Sequence, residues 1–440
     1  MKKILITTEN YYPKGGGIEQ FVRGLAEFLT KNNNDVSIYT STINSAHKEE
    51  TRKEGKIIRS PLMNGSLRDP FSVIKNKRKF ADFLIKNNFD YIIANNHNSL
   101  AWIKAAKIAK LPIVYICHGV GLIDPFKRKF LMPNDEISRG FPTIKKSLIW
   151  LWKENLANWK KVFATIIFFT PYANKINIRK YNTQKNYWLY KKSYKTLLSA
   201  KGIIGNSKLT ASLFKKENNL WGLPLPINSS NKNIHNHYYK DIDKKFLKKY
   251  NLTEKKYLLC TSRINRIKGQ EYLVKAIKYL KDDNLKIVFV GSSNLFSGSK
   301  EDLGKYGQEI KQIVRQNKLE KRVIFTGMLN FEEMRKIYSG ALLTVVPSIW
   351  LETFGYVTIE SMACETPVIV TKNCGSAECV DKETGFIIDR KNEKQIAACV
   401  NSEKNFIQMG IKARRKTLDQ YDWNVLGSKY YKILREIYDK

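Results

Sequence analysis

Two glutamates eight positions apart, Glu352 and Glu360, offer the clearest chemistry in this sequence. The apolar residues 342–346 predict a buried strand that ends at Pro347, and the pattern from about Tyr356 onward predicts the start of a helix. The glycine before this helix exposes backbone N–H groups at the positive end of the helix dipole, where a phosphate or a sugar hydroxyl can bind. Carboxylates that accept hydrogen bonds from hydroxyls, beside an anion site, indicate a binding site for a nucleotide sugar.

Three further segments carry residues that suit a phosphate or a sugar. Arg263 and Lys268 lie in the segment Ser-Arg-Ile-Asn-Arg-Ile-Lys-Gly, between a predicted strand and a predicted helix. His118 stands at the end of another predicted strand, between a cysteine and a glycine. Gly16 and Gly17 belong to a glycine run ahead of a predicted helix. Ligands collect beyond the carboxyl ends of strands in open α/β sheets, so we expect the side chains that follow strands to converge.

These segments resemble, in order and spacing, the motifs of the retaining glycosyltransferases of family 4, the glycosyl transferases group 1, which have the two-domain GT-B fold. Residues 347–368 are similar to the paired-glutamate motif of that family, and residues 373–378 with 384–386 are similar to the strand and turn that close its second domain. The resemblance implies that the arginine and lysine pair grips the donor diphosphate, which the glycine loop faces. It also implies that His118 points toward the donor sugar.

The predicted site contains four catalytic residues and a wider donor-binding set. The predicted catalytic residues are His118, Glu352, Arg263 and Lys268. The predicted donor-binding residues are Gly16, Gly17, Arg263, Lys268, Glu352, Thr353, Phe354, Gly355, Tyr356 and Glu360. We expect Glu360 to hold the ribose hydroxyls and Glu352 to orient the donor sugar. The chain departs from the family pattern at Glu365, where many members have glycine, and at residues 223–228, which are a poor version of the usual hinge-side Pro-Asn-Gly segment.

The reaction that the resemblance implies is transfer of a sugar from a nucleotide diphosphate sugar to a hydroxyl acceptor, with retention at the anomeric carbon. The donor nucleotide is UDP, GDP or ADP, and the residues do not choose among them. Arg263, Lys268 and the backbone N–H groups near Gly355 would stabilise the negative charge that develops on the leaving oxygen. Because such a cationic clamp does the work of a metal ion, we expect neither a metal nor a cofactor.

Length, charge and cysteine usage limit the class of protein. A chain of 440 residues suits two domains, and its 43% hydrophobic and 12% aromatic content excludes a mainly disordered chain. The net charge of +37 indicates an anionic partner, which is nucleic acid, an acidic membrane surface or a phosphorylated substrate. The six cysteines contain no C-x-x-C pair, and the N-terminal residues predict a core strand, so we expect a cytoplasmic location.

Strands that alternate with helices predict parallel βαβ units in both halves of the chain. A polar stretch at 228–243 separates the two sets of predicted strands. We therefore predict two Rossmann-like, doubly wound α/β domains that face a cleft. The predicted domains are 1–228 on the acceptor side and 229–418 for the nucleotide sugar, and a final helix within 419–440 is expected to return to the first domain.

Two other functions and one structural alternative stay open. The charge alone would suit a nucleic-acid-binding protein, but no helix-turn-helix, zinc or RNP-type signature occurs, so we expect no nucleic-acid partner. A GT-B nucleotide-sugar epimerase, which needs no acceptor, is the second alternative. His118 by itself would suit a hydrogen-bonded core histidine without a ligand.

A basic, aromatic insertion at about 124–195 suggests where the acceptor is found. Within 141–195, twelve Lys or Arg residues accompany one acidic residue, and a predicted amphipathic helix carries Trp152 and Trp159 with the basic residues Lys160 and Lys161. Such a helix usually faces a core, yet indole prefers the headgroup zone and each basic residue near an anionic surface adds about 1 kcal/mol. We therefore predict a peripheral protein on the inner, cytoplasmic face of a membrane, with an acceptor that is lipid-linked or a growing surface glycan.

Overall fold

The computed structural model describes residues 1–13, 16–43, 46–65, 72–95, 98–122, 187–230, 237–293 and 302–439. The chain divides into two compact units. The first unit comprises Met1–Leu223 with Lys429–Lys440, and the second comprises Pro224–Ser428.

The first unit is built on an eight-stranded sheet. Its strands are β1 (Lys3–Thr7), β2 (Asp35–Thr40), β3 (Glu49–Arg52), β4 (Gly55–Arg59), β5 (Tyr91–Asn95), β6 (Ile113–Cys117), β7 (Gly202–Gly205) and β8 (Leu220–Gly222). They lie in the order β3-β4-β2-β1-β5-β6-β7-β8. The β3–β4 pair is antiparallel, and the other neighbouring pairs are parallel.

Apolar strands form the centre of this sheet. Every residue of β5 and β6 is buried, as expected where helices cover both faces of a parallel sheet. The sequence pattern predicts these central strands, but it misses β3, β4 and β8. β3 consists of the charged and polar residues Glu-Glu-Thr-Arg, so it lacks the apolar run by which the others are recognised.

The helices of the first unit connect successive strands and cover the sheet. They are α1 (Gly17–Lys31), α2 (Lys77–Lys86), α3 (Ser99–Ala109), α4 (Tyr187–Leu198) and α5 (Lys208–Ala211), with short 3-10 turns at Pro61–Met63, Ser72–Asn76 and Val120–Leu122. α2 packs against α3, and α3 packs against α4. α1 is amphipathic, and it buries Phe21, Val22, Leu25 and Leu29.

The second unit contains a six-stranded parallel sheet. Its strands are β9 (Tyr257–Thr261), β10 (Lys286–Val290), β11 (Val323–Gly327), β12 (Leu343–Val346), β13 (Val368–Thr371) and β14 (Gly385–Ile388), in the order β11-β10-β9-β12-β13-β14. The six strands predicted from the sequence all occur, because each is a short apolar run between turn residues.

Helices flank the second sheet, and the last helix begins in the second unit and ends in the first. The helices are α6 (Lys244–Lys249), α7 (Gln270–Ala276), α8 (Gly304–Gln316), α9 (Phe331–Gly340), α10 (Val357–Ala363), α11 (Glu393–Val400), α12 (Phe406–Gln420) and α13 (Trp423–Tyr438), with 3-10 turns at Arg266–Lys268, Ile277–Tyr279 and Gly375–Cys379. The prediction of two Rossmann-like α/β domains is confirmed.

The boundaries of the units differ slightly from the predicted domain limits of 228 and 418. The second unit begins at Pro224, because Ile227 pairs with Asp422 and the N–H of Tyr238 donates to the Asn228 carbonyl, 2.8 Å away. α13 crosses the other boundary at Ser428. The end of α13 packs in the first unit, where Tyr438 stacks on Tyr91 with 3.5 Å between ring centres.

All six cysteines are free thiols, and five of them are buried. Burial raises the pKa of the Cys117 thiol to about 11, and it raises the pKa of Cys260 and of Cys374 to about 12. The thiolate form, which is the reactive one, is therefore scarce at neutral pH.

Candidate active site

The predicted donor-binding loops of the second unit lie at its topological switch point. β9 lies between β10 and β12 in the sheet. The chain continues from β9 to β10 and β11 on one side of it, and then returns to form β12, β13 and β14 on the other side. The loops after β9 and β12 carry Lys268 and Glu352 respectively, and both begin at the carboxyl edge of the sheet. Open α/β sheets bind ligands at this place, because the crossover helices diverge there and leave a crevice.

Lys268 and Glu352 form an ion pair between these two loops. The indole N–H of Trp350 donates to Glu352 Oε2 across 3.1 Å, and the Lys268 ammonium lies 5.6 Å from the centre of the Trp350 ring. The Lys268 and Glu352 side chains keep 16% and 14% of their surface exposed. The pair is therefore mostly desolvated yet reachable from solvent, so a bound anion would compete with Glu352 for the lysine charge.

The turn that carries Lys268 fits against the loop after β12 because residue 269 is glycine. Gly269 has φ +72, in the left-handed region, and a Cβ atom there would lie 2.0 Å from the carbonyl oxygen of Pro347. Beside this contact, the N–H of Ile349 donates to the Ile267 carbonyl, 2.9 Å away. These backbone contacts fix the position of Lys268.

Arg263 belongs to the same loop after β9. The buried side chain of Gln270 donates from Nε2 to Ser262 Oγ and to the carbonyl oxygen of Arg263, each across 2.9 Å. This anchor sets the path of the loop between the strand and the turn at Lys268. The structure thus places the predicted arginine and lysine pair on one short, well-supported segment.

The loop from Glu352 to α10 is held from the side by the segment after β13. The N–H of Gly375 donates to the Glu352 carbonyl across 2.8 Å, and that of Ser376 donates to the Phe354 carbonyl across 2.9 Å. Gly355 has φ +92, a conformation that glycine adopts without strain. The predicted donor-binding residues Thr353, Phe354, Gly355 and Tyr356 therefore form one supported loop. The motif at 373–378 is its support.

Glu360 is held by two tyrosines from elsewhere in the second unit. Its Oε1 accepts a hydrogen bond from the Tyr238 hydroxyl across 2.8 Å, and its Oε2 accepts one from the Tyr338 hydroxyl across 2.9 Å. Burial raises the pKa of Glu360, although the two hydroxyl donors act in the opposite direction. A carboxylate has about four lone-pair sites, so two acceptor sites are left for ligand hydroxyls.

Sequence reasoning missed several residues that contact the predicted site residues within each unit. They are Tyr238, Tyr338, Trp350 and Asn95. Tyr238 lies 122 positions from Glu360 in the sequence, and nothing in the sequence signals that contact. For Asn95 a signal exists, because a polar residue ends an otherwise apolar strand.

His118 lies in the first unit, in a buried and neutral environment. Its Nε2 lies 3.0 Å from Oδ1 of Asn95, whose amide nitrogen donates to the Thr7 carbonyl and so leaves the oxygen as the acceptor for Nε2–H. The ring of Phe21 meets the imidazole edge-on, 4.8 Å between centres. Burial lowers the pKa of His118 to about 3, so the side chain is neutral at physiological pH. Both a hydrogen-bonded core histidine and a sugar-binding one are consistent with this geometry.

The glycine loop lies between β1 and α1 of the same unit. Gly16 is the N-cap of α1 and has extended backbone, and a Cβ atom there would lie 2.6 Å from Oε2 of Glu19. Gly17 is the first residue of α1. Burial raises the pKa of Glu19 to about 7, so this carboxyl is poised to exchange a proton near neutral pH. The loop therefore presents backbone N–H groups next to a titratable carboxyl.

Some predicted residues lie outside the described part of the chain. Trp152, Trp159, Lys160 and Lys161 belong to the range 123–186, so their predicted membrane role stays a prediction. Among the described residues, no three His, Cys, Asp or Glu side chains are grouped in a way that could hold a metal ion. The roles assigned to the individual site residues likewise stay predictions.

We predict that His118 makes stability depend on pH. The folded pKa of about 3 lies below the ordinary value of 6.5, so below pH 6.5 the unfolded chain binds a proton that the folded chain does not. The stability that the neutral imidazole provides is complete above pH 6.5 and is lost as the pH falls toward 3. Relative to His118→Gln, the wild type should lose about 1.4 kcal/mol of unfolding free energy per pH unit below that point.

Urea unfolding of both proteins between about pH 7.5 and 5.5 measures this difference. His47→Gln is the matched control, because His47 is exposed in the same unit. A difference between wild type and His118→Gln that stays constant with pH would contradict the prediction.

Comparison with known protein families agrees with the geometry. Residues 15–220 match the model of Glycosyltransferase Family 4, and residues 241–405 match the model of Glycosyl transferases group 1. An uncharacterized glycosyltransferase of Methanocaldococcus jannaschii is 30% identical over 193 residues, which are 42% of this chain and 46% of the relative. The GDP-mannose-dependent alpha-(1-6)-phosphatidylinositol monomannoside mannosyltransferase of Mycolicibacterium smegmatis is 24% identical over 42% of this chain and 49% of the relative. The chain thus spans about half the length of these curated relatives.

Solved structures share the fold over the whole chain. Sucrose-phosphate synthase from Thermosynechococcus elongatus superposes with a TM-score of 0.68 at 18% identity and covers 100% of both chains. The Anabaena protein HepE, in complex with UDP and glucose, superposes with a TM-score of 0.64 at 17% identity and covers 99% of this chain and 100% of its own. Taken together, the two family models match most of the sequence. The chain therefore belongs to the GT-B glycosyltransferases of the family 4 type.

Proposed function

We propose that this protein is a retaining glycosyltransferase that moves a sugar from a nucleotide diphosphate sugar to a hydroxyl acceptor. The observation that carries the proposal is the Lys268–Glu352 ion pair at the switch point of the second unit. It supplies a cation for a diphosphate and a carboxylate for a sugar in one place. Glu360, which has two acceptor sites left, lies in α10, the helix that follows the loop of Glu352.

Donor binding exchanges one ionic partner of Lys268 for another. The diphosphate takes the place of the Glu352 carboxylate next to the lysine, and Arg263 adds a second positive charge in the same loop. Both cations are then aimed at the oxygen on which negative charge develops when the sugar leaves, and loss of one such group typically costs about 3 to 4 kcal/mol in the transition state. The carboxylate of Glu352, released from Lys268, turns to the sugar and favours its developing positive charge.

The chemical step needs no covalent nucleophile from the protein. The bond between the anomeric carbon and the diphosphate oxygen breaks while the acceptor oxygen bonds to the same face of that carbon. The departing phosphate oxygen takes the acceptor proton, so the atoms and charges of this step balance without a metal or a cofactor. His118, neutral and fixed by Asn95, binds a hydroxyl of the sugar.

The nucleotide is UDP, GDP or ADP. One relative is named as GDP-mannose-dependent, whereas the HepE structure contains UDP. Relatives that act on a phosphatidylinositol mannoside and on lipopolysaccharide support a lipid-linked acceptor or a surface glycan.

We predict that one nucleotide diphosphate raises the melting temperature of the wild type, because a ligand that binds only the folded state stabilises it by mass action. Lys268→Ala should bind that nucleotide more weakly and should lose sugar transfer almost completely, while its fold is retained. Calorimetric titration with UDP, GDP and ADP, followed by a transfer assay with the matching sugar donor, measures both effects.

Lys256→Ala is the matched control, because Lys256 also pairs with a carboxylate of the second unit, Asp282, but on the exposed surface. Its affinity and turnover should equal those of the wild type. Near-normal turnover by correctly folded Lys268→Ala would refute the diphosphate site.

A cluster of lysines in the first unit supports the proposed peripheral location on the inner face of a membrane. α2, α3 and α4 pack side by side and carry Lys77, Lys104, Lys107 and Lys192. The pKa of Lys104 is lowered by burial and then by the positive charges of Lys192, Lys77 and Lys107. These like charges repel one another, and an anionic lipid surface would relieve that repulsion. No helix within the described ranges is long and apolar enough to cross a membrane.

We predict that replacing Lys104, Lys107 and Lys192 with Gln weakens binding to anionic vesicles. Each lysine near such a surface contributes about 1 kcal/mol, so the triple variant should bind on the order of 100-fold more weakly at low salt. Cosedimentation with anionic and with neutral vesicles, at low and high salt, measures the effect.

The control variant Lys244→Gln, Lys245→Gln, Lys248→Gln removes the same charge from α6, where all three lysines are exposed in the second unit. It should bind vesicles like the wild type. Equal losses in the two variants would show that net charge, rather than the lysine cluster, governs binding, and no wild-type binding would point to an acceptor that is not in a membrane.

A further inference from the structure

Glu365 occupies a backbone position that usually belongs to glycine. α10 ends in a Schellman arrangement, in which the N–H of Glu365 donates to the Met362 carbonyl across 3.1 Å and that of Thr366 donates to the Ser361 carbonyl across 3.0 Å. The residue after the helix in this arrangement is left-handed, and Glu365 indeed has φ +58. Glycine is favoured there because a Cβ atom crowds the backbone. A glutamate at this position therefore calls for a reason other than local backbone preference.

The Glu365 carboxylate forms ion pairs with two cations, Lys240 and Arg414, which lie at the segment 237–240 of the second unit. Its Oε2 lies 2.9 Å from Nζ of Lys240, and its Oε1 lies 3.9 Å from Nε of Arg414. The Arg414 guanidinium also donates to the carbonyl oxygens of Ala363 and, across 3.5 Å, of Tyr238. The Glu365 and Arg414 side chains are each 21% exposed, so water weakens their ion pair less than it weakens surface pairs, whereas Lys240 is 42% exposed and its ion pair is closer to a surface pair.

The side chains of residues 237–240 have two kinds of surroundings: those of His237, Tyr239 and Lys240 line a cavity, and that of Tyr238 does not. His237 and Tyr239 stack on each other at 4.8 Å and line a cavity of about 480 Å³, together with Glu365 and Arg414. Tyr238 is buried, and its hydroxyl donates to Glu360. The two ionic partners of Glu365 flank Tyr238, because Lys240 follows it two positions along the chain and Arg414 donates to its carbonyl oxygen.

We propose that Glu365 is a positioning residue for the donor nucleotide, because its ion pairs hold Tyr238 in hydrogen-bond contact with Glu360. The proposal rests on the proposed role of Glu360 in holding the ribose hydroxyls. Without the Glu365 carboxylate, Lys240 and Arg414 repel each other and the segment that carries Tyr238 shifts. Glu360 then loses one of its two donors, and its carboxylate is less well oriented for a ribose.

The test is the nucleotide affinity of Glu365→Gly and Glu365→Gln, measured by calorimetry with the nucleotide diphosphate that stabilises the wild type. Both variants should bind it about threefold to tenfold more weakly, in the range found for members of one hydrogen-bonded network. The turnover number at saturating donor should stay close to that of the wild type. A residue that served the fold alone would change the free energy of unfolding instead of the nucleotide affinity. Because glycine relieves strain at a left-handed position, Glu365→Gly should unfold no more easily than Glu365→Gln.

A double-mutant cycle with Tyr238→Phe tests whether Glu365 acts on the nucleotide affinity through Tyr238. If Glu365 acts through Tyr238, Glu365→Gly should weaken binding no further in the Tyr238→Phe background. Glu383→Gln is the matched control. Glu383 forms an ion pair with Lys412, which lies in α12 like Arg414, so its replacement should leave the nucleotide affinity unchanged.

Wild-type affinity in Glu365→Gly, or full additivity with Tyr238→Phe, would overturn the role of Glu365 and leave the donor site standing. Failure of the wild type to bind any nucleotide diphosphate would overturn the donor site itself, and this inference with it.

Discussion

The candidate site of the second unit depends on one close contact between two backbone segments. The turn after β9 meets the loop after β12 at Gly269, where the neighbouring carbonyl of Pro347 leaves no room for a side chain. This contact sets the distance at which Lys268 and Glu352 face each other. The segment at 373–378 then supports the loop of Glu352 from the side of β13. The charged groups that we propose for a diphosphate and a sugar are therefore placed by main-chain geometry, which side-chain substitutions elsewhere disturb little.

The predicted site residues of the two units differ in their charge state. In the second unit Lys268 and Glu352 are charged, and each balances the charge of the other. In the first unit His118 is neutral, because burial strongly disfavours its protonated form. A positive histidine would repel the positive charge that builds on a sugar during departure of its phosphate. A neutral imidazole can instead hydrogen-bond a sugar hydroxyl without such a penalty.

Much of the fold follows from local patterns, and part of the site does not. Central strands such as β5 and β6 are recognisable because they are apolar throughout, whereas β3 escapes because its residues are charged and its pairing with β4 is what makes it a strand. Glycine-flanked motifs at strand ends lead to Lys268 and Glu352. The partners of Glu360 could not be predicted, since Tyr238 and Tyr338 come from distant segments that only the folded sheet brings together.

The buried cysteines can report local opening of the structure around them. Cys117 adjoins His118, Cys260 lies in β9 just before Arg263, and Cys374 pairs through its backbone with Glu352. Because burial raises the pKa of all three thiols, none reacts readily while its strand or loop stays closed. The rate at which each one is alkylated therefore reports how often its own strand or loop opens, with no engineered residue required.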